Sequence, residues 1–410
     1  KMDQPIPSYL LALAVGDVEY RAIGDRTGVY AVPDMIAAAH YEFQEMDEML
    51  VEAEKLYGKY VWDQYDVIVL PAAFPFGGME NPRLTFATPT IIAGDRSLTS
   101  LIAHELAHSW SGNLVTNSTW DDFWLNEGFT VYFEMRIMEA VYGREYSEML
   151  ALLAQQGLLA ENQDILGGDN PEDTELKLSL AGRNPDEGMT AIAYDKGYFF
   201  LRLMEEKLGR ERFDKFLKDY FTAHSFQVMD TERFIDYLMA NLLSEEEAQE
   251  LDIRAWIYGK GLPANMPKID SDKMTKVDAL ASSMTDDYDV STIPWGEWKY
   301  QEKVRFLSQL PEALKAPFMA KLDAAFDITN IGNNEVLFEW LEQSIYRDYE
   351  ASFNRADKFL VSVGRRKFLT PLYKAFKETG RVNLAREIYK KARPNYHSVA
   401  IETMDDLLTK

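Results

Sequence analysis

The sequence predicts an α+β protein that is mostly α-helical, on three observations. Segments with the composition and alternation of strands occur only before residue 93, where turn residues separate them. From about residue 97 onward, apolar residues recur at helical spacing. Residues 298–410 contain short amphipathic helices separated by Pro and Gly, which indicates an α-helical stack of the solenoid type. A chain of 410 residues is too long for one compact core, so two or three domains are expected.

The first 92 residues are dominated by predicted strands. These strands cover residues 9–15, 18–23, 29–32, 65–70 and 84–92. The first three resemble the end of a β-rich region whose earlier part is missing, and the absence of an initiator Met suggests a fragment. One long helix is predicted from Pro33 to about Leu56, with Gly58 as its stop.

Two helices are predicted near the middle of the chain, over residues 97–110 and 125–142. The second is expected to end at Gly143. A mostly helical pattern then continues to residue 260, interrupted by a polar segment at 167–190. The Gly- and Pro-containing stretch 261–267 is predicted to be a linker.

Charge and composition exclude several classes of function. The net charge of −24 argues against nucleic-acid binding and against an anionic membrane surface. The chain has no cysteine, and therefore no disulfide framework or thiolate metal site. It also lacks an apolar run long enough to span a membrane. A cytoplasmic monomer is the expectation, with a periplasmic or secreted protein as the alternative.

The most informative stretch is His104-Glu105-Leu106-Ala107-His108, which Glu127 follows nineteen positions later. Residues i and i+4 share one face of a helix, so the two His can present their imidazoles to one metal ion. Glu105 lies beside them, and Glu127 can add a carboxylate oxygen from the next helix. Two His and one Glu leave a fourth position for water, as in catalytic zinc sites. An ordinary core helix, the alternative, would bury these polar groups at a cost.

Glu134 lies seven residues, or two helical turns, after Glu127, so the two share a face. A zinc-bound His usually has a partner at its second ring nitrogen, and Glu134 is therefore expected to orient His104. A solvated or salt-bridged glutamate is the alternative. The remaining histidines lack ligand spacing and are expected to be structural or exposed; they are His40, His224 and His397.

Together with the loop 76–82 (FGGMENP), these residues resemble the gluzincin zinc aminopeptidases, and among them the leukotriene-A(4) hydrolase/aminopeptidase branch. Further segments carry the resemblance along nearly the whole chain, namely 60–66 (YVWDQYD), 112–117 (GNLVTN), 124–128 (WLNEG) and 194–197 (YDKG). The resemblance implies that residues 1–24 end an N-terminal β domain and that 25–262 form a thermolysin-like zinc catalytic domain. Residues 263–410 would then form a linker and a C-terminal α-helical domain.

The resemblance also implies roles for residues outside the metal centre. Glu80 would grip the α-ammonium group of the substrate, within a binding loop formed by Gly77, Gly78, Met79, Glu80 and Asn81. Tyr194 would donate its hydroxyl to the oxyanion of the intermediate. Arg365 and Lys367 would recognise a substrate carboxylate, and Asp186 matches an aspartate placed for hydration of a lipid epoxide.

Two positions depart from the leukotriene enzyme, which has tyrosine where this chain has Phe76 and Met189. The loss of two pocket hydroxyls counts against an efficient lipid epoxide activity. The sequence therefore predicts a zinc aminopeptidase with one Zn²⁺ per chain, acting on peptides with a free N-terminus. Glu105 would be the general base, and Tyr194 would stabilise the oxyanion. A bifunctional lipid epoxide hydrolase and a non-catalytic peptide-binding protein are the alternatives.

Overall fold

A computed structural model describes residues 2–409 and confirms the α+β class, with 60% of the residues helical and 7% in strands. The described strands are β1 (Glu19–Ala22), β2 (Thr27–Ala31), β3 (Tyr65–Val69), β4 (Gly78–Met79), β5 (Leu84–Ala87), β6 (Val115–Asn117) and β7 (Gln227–Met229). The first five form one sheet in the order β1-β2-β3-β5-β4. β6 and β7 form a separate parallel pair.

The five-stranded sheet has a parallel centre and antiparallel edges. β3 pairs in parallel with β2 and with β5, while β1 and β4 pair antiparallel with their neighbours. All five residues of β3 are buried, as expected for a strand covered on both faces. β4 forms an edge of the sheet, and it places Gly78 and Met79 of the predicted substrate loop beside the helix that carries the histidines.

Helices supply most of the remaining residues of the first core. They are α1 (Ile36–Glu42), α2 (Met46–Tyr57), α3 (Ser100–Ala107), α4 (Trp124–Tyr142), α5 (Arg144–Leu166), α6 (Gly197–Leu208), α7 (Arg210–Ala223), α8 (Thr231–Asn241), α9 (Glu245–Leu251) and α10 (Ile253–Tyr258). α4 is almost completely buried and packs against α3, α5 and α6, so it is the central helix of this domain.

The predicted strand at residues 9–15 is wrong. The structure has a 3₁₀ turn at Ser8–Leu10, and residues 11–15 form no strand. Leu11, Leu13 and Val15 are 82%, 86% and 89% exposed, although their alternation is that of a strand. A strand needs hydrogen-bonding neighbours as well as a suitable sequence, and none lies beside this segment within residues 2–409.

The single helix predicted from Pro33 to Leu56 is also wrong, because it breaks between Glu42 and Met46 into α1 and α2. The Glu42 carboxylate is fully buried and accepts hydrogen bonds from the backbone N–H groups of Ala93, Gly94 and Arg96. This contact with a distant loop fixes the end of α1, which helical periodicity alone could not indicate.

The predicted strand at 84–92 and the predicted helix at 97–110 are both shorter in the structure. β5 ends at Ala87, and a 3₁₀ turn begins at Pro89, whose missing N–H cannot continue a sheet ladder. α3 covers Ser100–Ala107, and His108 is its C-cap residue. The metal motif therefore lies at the very end of its helix.

The C-terminal part is helical, as predicted. It comprises α11 (Asp272–Ser282), α12 (Tyr300–Ser308), α13 (Ala316–Phe326), α14 (Asn334–Tyr346), α15 (Phe353–Ser362), α16 (Arg366–Glu378), α17 (Val382–Ala392) and α18 (Ser398–Thr409). A second hydrophobic core, from Val277 to Leu408, is separate from the first, which ends at Ile257. The domain boundary at residue 263 stays a prediction.

The start of α16 docks on the loop that leads to β4. The N–H of Gly364 donates to the carbonyl of Ala72 at 2.7 Å, and the N–H of Arg366 donates to that of Pro75 at 3.0 Å. A Cβ atom on Gly364 would lie 2.7 Å from the Cα atom of Ala73, so this close approach requires glycine. The C-terminal domain thereby places Arg365 beside the predicted substrate loop.

Within residues 2–409, no helix combines the length and the apolar character needed to span a bilayer.

Candidate active site

Three potential metal ligands converge where α3 ends against α4. The Nε2 atoms of His104 and His108 are 3.2 Å apart. The Oε2 atom of Glu127 lies 3.3 Å from the first and 3.5 Å from the second. Glu127 is in the first turn of α4, and the tight packing of α3 against α4 brings the three side chains together.

The second ring nitrogen of each histidine has its own partner. Nδ1 of His104 lies 3.0 Å from Oε2 of Glu134, and Nδ1 of His108 lies 3.0 Å from the carbonyl oxygen of Ser111 and from Oγ1 of Thr130. A carbonyl oxygen can only accept, so Nδ1 of His108 carries the proton and its Nε2 is left for a metal. Glu134 can fix His104 in the same way.

The donor set fits zinc. The buried Oε2 atoms of Glu105 and Glu127 have no hydrogen-bond partner among the described residues, which is costly unless another group is bound there. Burial lowers the pKa of His108, but the nearby carboxylates of Glu80 and Glu127 outweigh it and raise this pKa to about 9. The surroundings of this imidazole therefore favour a positively charged group. Two imidazoles and one carboxylate are one of the common ligand sets of a catalytic zinc ion.

Glu105 lies directly beside this centre and is only 4% exposed. Burial raises the pKa of its carboxyl to about 7, although both histidines act in the opposite direction. A side chain at Gly78 would collide with the Glu105 carboxylate, so β4 passes directly over it. A carboxyl group with a pKa near neutrality can both accept and return a proton.

Glu80 provides a fourth carboxylate near the metal centre, in addition to those of Glu105, Glu127 and Glu134. It is 8% exposed, and its carboxylate lies within 4.8 Å of ligand atoms of Glu105 and His108. Two amides hold its loop, because Asn113 Nδ2 donates to the Glu80 carbonyl and Asn81 Nδ2 donates to the Leu10 carbonyl, each at 2.8 Å. The cleft is therefore strongly anionic and rigid at this end.

Tyr194 lies next to the metal centre. Its ring is stacked on His104 with centroids 6.2 Å apart, and burial followed by the proximity of Glu127 raises the pKa of its hydroxyl, which stays protonated. It lies in a π-helical turn, Ile192–Lys196, of the kind often found at functional sites. A Cβ atom on Gly128 would lie 2.8 Å from the Cα atom of Gly197, so this turn packs closely beside Glu127.

Arg365 and Lys367, the predicted carboxylate-binding residues, lie at the start of α16. Nη2 of Arg365 would lie 2.7 Å from a Cβ atom on Gly77, which places its guanidinium against the substrate loop. Nζ of Lys367 donates to both carboxylate oxygens of Glu335, at 2.8 and 2.9 Å. Both residues belong to the C-terminal helical part, which thereby brings Arg365 against the predicted substrate loop.

The other predicted positions lie as follows. Asp186 is exposed in the 3₁₀ turn Pro185–Gly188, and its role in epoxide hydration stays a prediction. Met189 packs against the first hydrophobic core, and the Phe76 ring lies under the Arg366 guanidinium at 5.3 Å.

Sequence reasoning missed four residues of this site, namely Tyr9, Ser111, Thr130 and Glu335. The Tyr9 hydroxyl is buried, and the neighbouring Glu80 and Glu127 add to the effect of burial in raising its pKa. Thr130 could have been found, because it lies one helical turn after Glu127. No local pattern indicates the other three.

Comparisons with known proteins agree with this geometry. Residues 41–256 match the peptidase family M1 domain, and residues 298–408 match the leukotriene A4 hydrolase C-terminal domain. Leucine aminopeptidase 2 from Aspergillus terreus is 38% identical over 96% of this chain, which spans 65% of that relative. The chain thus covers slightly less than two thirds of that protein.

The fold of this chain is similar to that of solved structures, among them the two that follow. Yeast LTA4 hydrolase in complex with bestatin superposes with a TM-score of 0.90 at 30% identity, over 100% of this chain and 70% of that one. An M1 zinc metallopeptidase from Deinococcus radiodurans, bound to a Tyr-Ser-Ala substrate, gives a TM-score of 0.52 at 25% identity over 65% of this chain and 57% of that one. Because the M1 domain match covers more than half of the residues and includes the whole metal centre, the chain belongs to peptidase family M1.

Proposed function

We propose that the protein is a zinc aminopeptidase that removes N-terminal residues from peptides. The observation that carries this proposal is the convergence of His104, His108 and Glu127 next to the buried carboxylates of Glu105 and Glu80. Such a cleft offers a set of metal ligands, a base and an anionic anchor for an amine within a few ångströms.

His104, His108 and Glu127 would hold the zinc ion. When bound, zinc supplies a Lewis acid that polarises the scissile carbonyl and acidifies water. Glu134, Ser111 and Thr130 would keep the two imidazoles in the tautomer that a metal requires.

Glu105 would accept a proton from the attacking water and pass it to the leaving amine. Its buried position and its raised pKa suit a group that must both take and return a proton. The Tyr194 hydroxyl would donate a hydrogen bond to the oxyanion that develops on the substrate carbonyl. A pre-oriented donor of this kind contributes roughly 3–4 kcal/mol to transition-state stabilisation.

The anionic end of the cleft would make the enzyme an exopeptidase. Glu80 would bind the α-ammonium group of the first residue at a fixed distance from Glu105, so that only the first peptide bond reaches the base. Met79 and Asn81 flank Glu80 in the edge strand and loop. Gly77 and Gly78, whose missing side chains make room for Arg365 and Glu105, would let the loop backbone approach the substrate closely.

Arg365, with Lys367 near it, would bind the carboxylate of a short peptide. A guanidinium suits a carboxylate because its planar N–H groups match both oxygens. With Glu80 for the amine and Arg365 for the carboxylate, the cleft would match a free peptide, whose two termini carry opposite charges.

Hydration of a lipid epoxide is a second candidate, supported by the leukotriene A4 hydrolase C-terminal domain and by the match to yeast LTA4 hydrolase. The exposure of Asp186 and the apolar side chains of Met189 and Phe76 weigh against it. Product analysis with a lipid epoxide beside a peptide would separate the two candidates.

The aminopeptidase proposal is tested by comparing aminoacyl-anilides with their N-acetylated forms. We expect release only from substrates with a free amine, since acetylation removes the charge that Glu80 would bind. Glu80→Ala should raise KM for free-amine substrates by roughly tenfold or more, as expected for loss of a charged hydrogen bond. Equal hydrolysis of free and acetylated anilides by the native protein would contradict an exopeptidase.

A further inference from the structure

Glu335 lies between Arg365 and Lys367, the two cations that are predicted to recognise the substrate carboxylate. Both oxygens of its side chain contact Nζ of Lys367, at 2.8 and 2.9 Å. Its Oε1 atom is 3.6 Å from Nη1 of Arg365. Glu335 is a half-buried anion between two cations, with a side chain that is 17% exposed. These cations and this anion leave the cluster with one net positive charge.

The position of Glu335 is fixed by the start of α14. The Asn333 side chain caps this helix, because its Oδ1 atom accepts from the N–H groups of Glu335 and Val336. Asn333 Nδ2 donates to Ser97 at 2.8 Å, and Asn334 Nδ2 donates to the Thr90 carbonyl at 2.7 Å. The helix N-terminus, which favours a negative side chain, is thus tied to the catalytic domain.

The two cations are not equivalent. Lys367 has a 53% exposed side chain, and Glu335 holds its ammonium group with two short contacts. Arg365 is 12% exposed, and within residues 2–409 its Nη1 atom has only longer polar contacts, 3.6 Å to Glu335 and 3.4 Å to Thr90 Oγ1. A buried guanidinium without a short charged hydrogen bond is the stronger site for an incoming anion.

We propose that Glu335 is a specificity-determining residue that weakens the recognition of free C-terminal carboxylates by neutralising Lys367 and competing for Arg365. This inference rests on the proposed aminopeptidase function. Arg365 would then be the main partner of the substrate carboxylate, and Lys367 would act mainly by holding Glu335 away from Arg365. Two free cations would strongly favour a free C-terminal carboxylate over an extended or blocked C-terminus. With Glu335 present, this preference would be weaker.

The test compares a tripeptide with its C-terminal amide, using the ratio of their kcat/KM values. Glu335→Gln keeps the shape of the side chain and removes its charge, so the acid-to-amide ratio should rise by about three- to tenfold, as expected for one charge a few ångströms away in a partly hydrated cleft. Glu342→Gln is the matched control, because it lies on the same helix next to Lys374 and Glu378. It should leave the ratio unchanged.

A second variant separates the two roles of Lys367. Lys367→Met should lower the acid-to-amide ratio because Glu335 becomes free to pair with Arg365. Adding Glu335→Gln to that variant should restore the ratio to at least its native value. A ratio that stays low in the double variant would show that Lys367 binds the substrate directly and would overturn the proposal.

The outcomes distinguish this inference from the proposed function. If the native protein hydrolyses neither the tripeptide nor its amide, the aminopeptidase proposal fails. If both are hydrolysed but Glu335→Gln leaves the ratio unchanged or lowers it, only the role of Glu335 fails. Should Glu335→Gln not fold, Lys367→Met still tests the proposal, since an unchanged ratio in that variant contradicts it.

Discussion

Nδ1 of His104 lies 3.0 Å from Oε2 of Glu134, a contact that joins the end of α3 to the second turn beyond Glu127 on α4. The carboxylate faces the ring nitrogen that is directed away from His108 and Glu127. It therefore holds Nε2 of His104 towards the position at which the three proposed ligands converge.

Glu134→Gln should weaken zinc binding by about 10- to 100-fold, because a neutral amide orients and polarises the imidazole less than a carboxylate does. The measurement is competition for zinc with a chelator of known affinity. Glu139→Gln is the control, since Glu139 lies on the same helix and pairs with Arg210 instead. Native zinc affinity in Glu134→Gln would exclude this role.

Glu105→Gln should retain zinc and lose turnover by about 10²- to 10⁴-fold, the range for removal of a general base. The amide has nearly the shape of the carboxyl group but cannot accept the proton of water. The measurements are kcat with an aminoacyl-anilide and the metal content of the purified variant. Turnover within tenfold of the native value, at full zinc content, would assign the base to another residue.

Tyr194→Phe should lower kcat by about 10²- to 10³-fold and change KM little. The hydroxyl would act on charge that develops only in the transition state, so its loss should not weaken ground-state binding. Steady-state kinetics provide both constants, and Tyr237→Phe, on α8, is the control. An increase confined to KM would instead indicate that Tyr194 binds substrate.

The burial of Glu339 on α14 should make the free energy of unfolding depend on pH, independently of the metal centre. It is 8% exposed, and burial, together with the neighbouring Glu342, raises the pKa of its carboxyl to about 8. The folded state therefore binds a proton that the unfolded state loses near pH 4.3, so this residue destabilises the fold increasingly as pH rises from about 4.3 to 8.

Glu339→Gln removes this titration while keeping the shape of the side chain. The thermal midpoint of the variant, relative to that of the native protein, should be higher at pH 8 than at pH 5 by roughly 2 °C or more. Scanning calorimetry at the two pH values provides the comparison, with Glu387→Gln, on the surface of α17, as the control. An equal shift at both pH values would refute the raised pKa.

The metal centre could be predicted because its chemistry depends on local spacing. His104 and His108 are one helical turn apart, and Glu134 lies two turns after Glu127, so each pair shares a helix face before any tertiary contact forms. The fold class was predictable for the same reason, since periodicity reports local structure. The positions of Glu80 and Tyr194 came from a resemblance rather than from spacing.

What could not be predicted depends on contacts between distant segments. Glu42 ends α1 by bonding to a loop some fifty residues away, and Pro89 ends β5 where apolar residues continue. Gly128 and Gly197 are ordinary glycines in the sequence, yet their close approach positions Tyr194 beside Glu127. Glu335 reaches the cleft only because the start of α14 docks on Thr90 and Ser97.

The most direct test of the central claim is a zinc titration of metal-depleted protein, followed by the rate of hydrolysis of a free-amine aminoacyl-anilide. We expect no activity without metal, a linear rise with added zinc, and a break at one equivalent per chain. His104→Ala should abolish the rise. Full activity after complete zinc removal, or no activity at any zinc concentration, would contradict a zinc aminopeptidase.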